Sequence, residues 1–274
     1  MADNLVVIQW ALDTTHEPLT IDTLHRWHRR LMQHGTLPPD LVGAFRPALG
    51  WVRGNSPLDA AYVPPPPSEI PGLMDDLTAF ANDAPEDLDP VTHAAMIHAQ
   101  FEAIHPYGDG NGRLGRVLVN RTLRRRGATD RSTAPISMAI AHDPGGYLSG
   151  LRLFELGKLD PWVKWFAEKA EKAASTTHQI IDQTSALLAR WEGAITDLRI
   201  DHSARILLPH LPAYPLLSAG DAAELLGTSE RTARTTLAAL TSRGILSPID
   251  VPTPTPGRNR HWFTAPDLLR LWGA

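Results

Sequence analysis

Leu5, Ile8 and Leu12 recur at helical spacing near the N-terminus, and Leu24, Trp27, His28 and Leu31 repeat the period after Thr20 and Asp22, either of which can cap a helix. This pattern predicts two helices over residues 3–34. The period changes over 41–63, where Leu41–Arg46 and Trp51–Asn55 read as two short extended runs and predict a hairpin. Pro64-Pro65-Pro66-Pro67 is a rigid connector into the next segment. There Ser68 is the predicted N-cap of a helix carrying a one-sided stripe of Ile70, Leu73, Met74, Leu77 and Phe80. Asp89-Pro90 supplies a cap and an N1 proline for a further helix. Its Val91, Ala94, Ala95, Ile97, His98, Phe101 and Ile104 cover most of the circumference, as expected of a central buried helix.

Another helix follows with Leu114, Val117, Leu118 and Leu123, ending in Arg124-Arg125-Arg126-Gly127. Cations in the last turn and a glycine after it complement the dipole and stop the helix, which reads as a solvated basic end. Ser132–Tyr147 reads as loop. Pro161–Ala174, with Trp162, Val163, Trp165 and Phe166, predicts an apolar helix, and 176–198 continues helically as a connector. From 203 onward the pattern is helix, turn, helix, with Gly227 at the turn and Ser229 as cap of the second helix. Gly244-Ile245-Leu246 and Arg260–Phe263 then read as strands around a Pro/Thr-rich loop. The fold class is mainly α: a helical bundle with a small β-hairpin over 1–198, and a second small domain over 203–274.

With 274 residues, 43% of them hydrophobic, the chain is long enough for one or two buried cores. The formal net charge of -4 argues against a protein that coats nucleic acid along its length. The absence of cysteine rules out disulfides and thiolate metal sites. No apolar run approaches membrane-spanning length and no signal segment opens the chain, so a cytoplasmic protein without a membrane partner is expected.

The chemistry concentrates in His105-Pro106-Tyr107-Gly108-Asp109-Gly110-Asn111-Gly112-Arg113-Leu114-Gly115-Arg116, between two predicted helices. A glycine-rich loop lets successive N–H groups of residues such as Gly108, Gly110, Asn111 and Gly112 converge, and a helix starting near Asn111 adds its own unsatisfied donors. That combination is an anion cradle suited to phosphates. Arg113 and Arg116 share a helix face and can reach a polyphosphate. Asp109 offers a hard oxygen ligand for Mg²⁺, and a neutral His105 at the loop mouth can accept a proton from an attacking hydroxyl. By contrast, His25, His28 and His34 lack a carboxylate that would complete a metal site, and His93 and His98 read as core or helix-face residues.

The stretch resembles the signature of the Fic family, H-x-F-x-D/E-G-N-G-R-x-x-R, at every defined position except the third, where Tyr107 stands for Phe. The resemblance implies transfer of AMP from ATP to a Ser, Thr or Tyr hydroxyl of a target protein. It makes His105 the base, Asp109 the Mg²⁺ ligand, Gly110, Asn111 and Gly112 the anion-hole backbone, and Arg113 and Arg116 the phosphate ligands. Relatives that transfer phosphate instead carry Lys where this chain has Gly112. The region 41–63 resembles the family's flap, which pairs with an extended piece of the target; Arg46 there either helps bind at the site or ties the flap down. Tyr147-Leu148-Ser149-Gly150-Leu151 resembles the Y-Y-x-x-L segment and makes Tyr147 the residue flanking adenine, with Leu148 replacing the second tyrosine. One class of the family has an inhibitory helix upstream, with the pattern S/T-x-x-x-E/D-G/N. No Glu version of it opens this chain, so the expectation is either a shortened, activated form or an inhibitor located elsewhere.

Residues 203–274 resemble a winged helix-turn-helix domain. Seven arginines stand against five acids there, thin for strong DNA binding. Arg231, Arg234, Arg258 and Arg260 are the candidate backbone contacts to DNA, and a structural or dimerising role stays equally open, with a second copy of the chain as partner.

Overall fold

The computed structural model describes residues 2–52, 54–130, 133, 135–251 and 260–272. Arg53, Ser132, Arg258 and the Pro/Thr loop at 252–259 lie outside the described residues, as does the side chain of Arg260. The chain divides into two units, Met1–Ala174 and Ser175–Ala274.

In the first unit, α1 (Ala2–Asp13) and α2 (Ile21–Met32) are followed by α3 (Ile70–Asn82), α4 (Pro90–Ile104) and α5 (Asn111–Arg125). Thr20 caps α2 through its side chain, which accepts the Thr23 N–H at 3.1 Å. Asp89 does the same for α4, accepting from Val91 at 2.9 Å and Thr92 at 3.0 Å. Each such cap is worth about 1 kcal/mol. Ser68 does not cap α3. It sits within a 3₁₀ turn (Pro67–Glu69), and α3 begins only at Ile70, where Pro71 fills a first-turn position that needs no N–H.

The centre of the unit is α4. One side of it, with Ile97 and Phe101, joins Val7, Leu24, Trp27, Met74, Leu77 and Leu114 in a buried cluster. The other side, with Ala94, Ala95 and Ala99, joins Val119, Trp162 and Phe166. Small residues on that face let the Trp162 ring approach closely enough for its Nε1–H to donate to the Ala95 carbonyl at 2.8 Å. The stretch after α5, read as loop, contains α6 (Ile136–His142) and the start of α7 (Pro144–Glu155). Asp143 and Pro144 start α7 by the same cap-and-proline device as α4. The basic end of α5 is less solvated than its composition suggests. Arg125 donates to the Thr15 carbonyl at 2.7 Å and Arg126 to the Leu88 carbonyl at 2.6 Å, so both tie neighbouring turns to the helix end.

The hairpin differs from the expected one. Leu41–Arg46 is not a strand: Pro39–Leu41 is a 3₁₀ turn and Gly43 takes a left-handed conformation, φ 76°. Among the described residues the pairing is instead one isolated antiparallel bridge, between Val52 and Tyr62. Its loop is closed by the Asp59 carboxylate, which accepts from the Asn55 N–H at 3.0 Å and the Ser56 N–H at 2.6 Å.

α8 (Leu159–Ala194) gives Trp162 and Phe166 to the first unit's core and Leu187 and Trp191 to the second's. The second unit continues with α9 (Ser203–Leu207), β1 (Leu216–Ser218), α10 (Ala219–Leu226), α11 (Glu230–Thr241), β2 (Ser247–Val251), β3 (Arg260–Thr264) and α12 (Pro266–Trp272). The antiparallel sheet has the order β1-β3-β2, with Leu217 opposite Phe263 and Ile249 opposite Trp262. Gly227 is left-handed at the turn between α10 and α11, and the Ser229 hydroxyl caps α11 by accepting the Thr232 N–H at 3.3 Å. The expected strand at Gly244-Ile245-Leu246 is displaced to Ser247–Val251. Gly244 ends α11 in the left-handed region, and Ile245 donates back to the Leu240 carbonyl at 3.1 Å, so Ile245 and Leu246 become a buried plug rather than a ladder. β1 was not expected, because three residues carry too short a period to detect.

Candidate active site

α4 ends at His105, whose N–H still donates to the Phe101 carbonyl at 2.9 Å while its backbone turns left-handed, φ 48° and ψ 58°. Among the described residues it is the one non-glycine residue with positive φ. Backbone in that region is rare for a residue with a Cβ and is maintained only by surrounding constraints. The ring is half-buried. Its Nδ1–H donates to the Glu102 carbonyl at 3.3 Å, which leaves Nε2 as the unprotonated nitrogen of the neutral ring. Burial holds the His105 pKa below the ordinary imidazole value, so the ring is neutral at pH 7 and fit to act as a base.

The loop after it is pinned from inside. Asn111 is buried and its amide brackets Tyr107, Oδ1 accepting the Tyr107 N–H at 3.0 Å and Nδ2 donating to the Tyr107 carbonyl at 2.8 Å. The Tyr107 ring is fully buried and stacks on His28 with centroids 4.0 Å apart. Its hydroxyl, the one atom added relative to phenylalanine, lies 3.1 Å from His25 Nδ1. His28 also braces the loop. The Gly43 N–H donates to its Nδ1 at 2.8 Å, which makes Nε2 the protonated nitrogen, and Nε2–H donates to the Asp109 carbonyl at 3.0 Å. Two of the three N-terminal histidines are therefore loop supports, and among the described residues no group of three or more metal-binding side chains occurs.

α5 starts at Asn111, so the N–H groups of Asn111, Gly112 and Arg113 lie in its first turn, where a helix offers no internal acceptor. Gly110 is left-handed, φ 82°, and a Cβ there would also stand 3.0 Å from Met32 Sδ. Its own N–H is not available to a ligand as the sequence suggested, because the Asp109 carboxylate accepts it at 2.6 Å. The other carboxylate oxygen of Asp109 pairs with Arg113 at 3.3 Å, Asp109 being largely exposed and Arg113 partly so. Gly108 is exposed at the loop's tip. The Arg116 guanidinium lies 3.3 Å from the point where a Cβ on Gly112 would stand, and Glu102 Oε1 lies 3.8 Å from the same point.

Beside His105 opens a cavity of about 480 Å³, lined among others by Val52, Tyr62, Glu102, Tyr147 and Leu151. Tyr147 thus shares a wall with His105; its hydroxyl is 3.0 Å from Nε2 of the buried His98. Tyr62 closes the flap side, donating to the Ala103 carbonyl at 2.6 Å. His93 is a core residue as expected, its Nε2 3.1 Å from the Phe80 carbonyl.

Glu102 escaped the sequence reading because a lone acid in an apolar helix carries no periodic or motif signal. Its Oε2 is 4.0 Å from His105 Nδ1, and its buried Oε1 has no hydrogen-bond partner. Burial pushes its pKa up to about 7, and burial pushes His98 down to about 4. Each shift is worth about 3 kcal/mol of pH-dependent stability. His98 has a folded pKa below its unfolded one, so its contribution is complete above pH 6.5 and is lost as the pH falls toward 4. Glu102 has a folded pKa above its unfolded one, so its contribution is complete below pH 4.5 and is lost as the pH rises through 7. The two oppose each other in between. Glu102→Gln is therefore expected to lose urea resistance between pH 7 and 5 more steeply than the wild type; parallel stability curves would show that the carboxyl titrates normally.

The Fic/DOC family model matches residues 18–123. Protein adenylyltransferase fic-1 of Caenorhabditis elegans is 28% identical over 160 residues, which cover 58% of this chain and 29% of that protein. Protein adenylyltransferase Fic of Drosophila willistoni is 32% identical over 155 residues, 56% of this chain and 28% of that protein. The chain thus spans less than a third of the length of these relatives. Among solved structures, a Fic family protein from Desulfovibrio desulfuricans G20 is similar at a TM-score of 0.53 and 20% identity, covering 96% of this chain and 74% of that one. A Fic domain containing signaling protein from Bacteroides thetaiotaomicron VPI-5482 is similar at 0.50 and 22% identity, covering 64% and 67%. At these identities the structural likeness concerns the fold. Residues 18–123, which carry the histidine, its loop and the helices on either side, are the part of the chain that matches the Fic/DOC family.

Proposed function

We propose that the chain is a protein adenylyltransferase, transferring AMP from ATP to a Ser, Thr or Tyr hydroxyl of a target protein. The observation that carries this reading is the neutral His105 ring, which shares one cavity wall with Tyr147 and stands four residues before Asp109 and the first turn of α5. In this reading ATP lies with its phosphates over the Asn111–Arg113 amides, with Arg113 and Arg116 as clamps and its base toward Tyr147. The target hydroxyl gives its proton to His105 Nε2 as its oxygen bonds to the α-phosphorus. The bond from that phosphorus to the bridging oxygen breaks, and pyrophosphate leaves.

Asp109 is the residue that would hold Mg²⁺. Its exposed carboxylate fits an ion that is bound by one carboxylate and completes its shell with phosphate oxygens and water. When bound, the ion supplies neutralisation of phosphate charge. Gly112 supports AMP transfer over phosphate transfer, since the resembling phosphotransferases carry Lys there. The flap bridge between Val52 and Tyr62 is the candidate place for the target's extended segment.

The second unit is read as a winged-helix module, supported by the α10–turn–α11 pair and the three-stranded sheet. Arg231 is exposed on α11, whereas Arg234 is paired with Glu230 at 2.8 Å.

The test is label transfer into lysate protein from ATP labelled at either the α or the γ position. Label from the α position only is expected; label from the γ position only would replace this reading with a phosphotransferase.

A further inference from the structure

Arg46 is 5% exposed, yet every hydrogen bond of its guanidinium recorded among the described residues goes to a main-chain carbonyl. Nε–H donates to the His105 carbonyl at 2.9 Å, and one terminal nitrogen donates to Ala48 at 2.9 Å. The other terminal nitrogen donates to Pro65 at 2.5 Å and to Ile104 at 3.4 Å. The Arg46 backbone N–H adds a bond to the Pro106 carbonyl at 2.9 Å.

The two groups of acceptors differ in kind. Ile104 and His105 present carbonyls at the C-terminal end of α4, where a helix leaves acceptors unsatisfied and its dipole favours a cation. Ala48 and Pro65 are the two roots of the flap, on either side of the Val52–Tyr62 bridge. His105 itself has the unusual left-handed backbone, and the proline after it disfavours a return to the ordinary helical region. Its carbonyl is therefore aimed by its strained dihedrals, and Arg46 is the side chain that receives it.

We propose that Arg46 is a positioning residue for the transfer reaction: its fork holds the His105 backbone left-handed, so that the imidazole faces the cavity, and fastens both ends of the flap to the same carbonyl cluster. This inference rests on His105 as the base. A lysine keeps the charge but is a single point with three donors, and it cannot span four carbonyls as a planar guanidinium does.

The test compares wild type with Arg46→Lys in two ways. The first needs no nucleotide or target: the intraresidue nuclear Overhauser effect between the His105 amide and Hα protons, which is strong only at positive φ. The second is turnover, followed as α-label transferred from ATP into lysate protein, alongside ATP affinity measured by calorimetry. Arg46→Lys is expected to weaken the His105 signal and to lower kcat by about 100-fold, as a misplacement near 1 Å does, while ATP affinity changes less than threefold or so. An unaltered His105 signal, or an unaltered kcat, overturns the proposal. Should Arg46→Lys fail to fold, Arg46→Ala with added methylguanidinium decides: return of the His105 signal supports the proposal, and no return overturns it. A wild type that transfers no AMP at all would sink the functional reading, and the His105 signal alone would then judge the positional one.

Discussion

His105→Ala is expected to lower AMP transfer by about 10²- to 10⁴-fold, the range a positioned general base contributes, while ATP binding persists. The expectation follows from the ring's surroundings. Nδ1–H is engaged by the Glu102 carbonyl, so the lone pair on Nε2 is the one available to a hydroxyl proton. Burial keeps the ring neutral at pH 7 and depresses its pKa, so transfer should hold up as the pH drops below 6.5 and fail only at still lower pH. The groups proposed to face the phosphates, the α5 amides, Arg113 and Arg116, are untouched by the substitution, which is why binding and transfer should separate. The measurement is α-label incorporation at saturating ATP beside the ATP dissociation constant. A variant that labels as fast as wild type would remove His105 from the reaction.

Asn111→Ala is expected to cost about 2–6 kcal/mol of stability and to collapse transfer with it. Asn111 is 2% exposed, and its amide pairs with both the N–H and the carbonyl of Tyr107. Alanine leaves two buried main-chain groups without partners, at about 1–3 kcal/mol each. The Tyr107 ring is packed between His28 and Phe45, so the peptide cannot move outward to find water without unstacking them. Asn111→Asp retains the acceptor but turns an oxygen toward the Tyr107 carbonyl, and should be about as damaging. Urea unfolding measures both. A loss under about 0.5 kcal/mol in either would mean that the loop holds its shape without this amide.

The loop and the helices on either side of it were legible in the residues themselves. The loop residues, the helix starting at Asn111 and the capped start of α4 all rest on local signals, since caps, N1 proline and glycine act within one turn. The flap was harder. Leu41–Arg46 and Trp51–Asn55 have the composition of strands, but Pro39 and Gly43 bend the first of them into a turn and Val52 finds its partner at Tyr62 instead. The supports of the loop, His28 and Asn111, had different fates. Asn111 was visible as part of the motif, with no hint that its side chain faces inward, whereas His28 looked like one more member of a helical stripe.

Taken alone, the order of residues determined which side chains were present: an imidazole, a carboxylate, an amide, three glycines of the loop and two arginines within twelve positions. It also determined where the helices around them begin, because those choices depend on neighbours a few residues apart. The folded structure decided which nitrogen of His105 is free, that Gly110's amide is spent on Asp109, and that Arg46 grips the helix end and the flap. The Arg46 contacts join residues up to 59 positions apart, the acceptor that Nδ1–H meets sets the His105 tautomer, and burial sets the worth of the Arg46 hydrogen bonds.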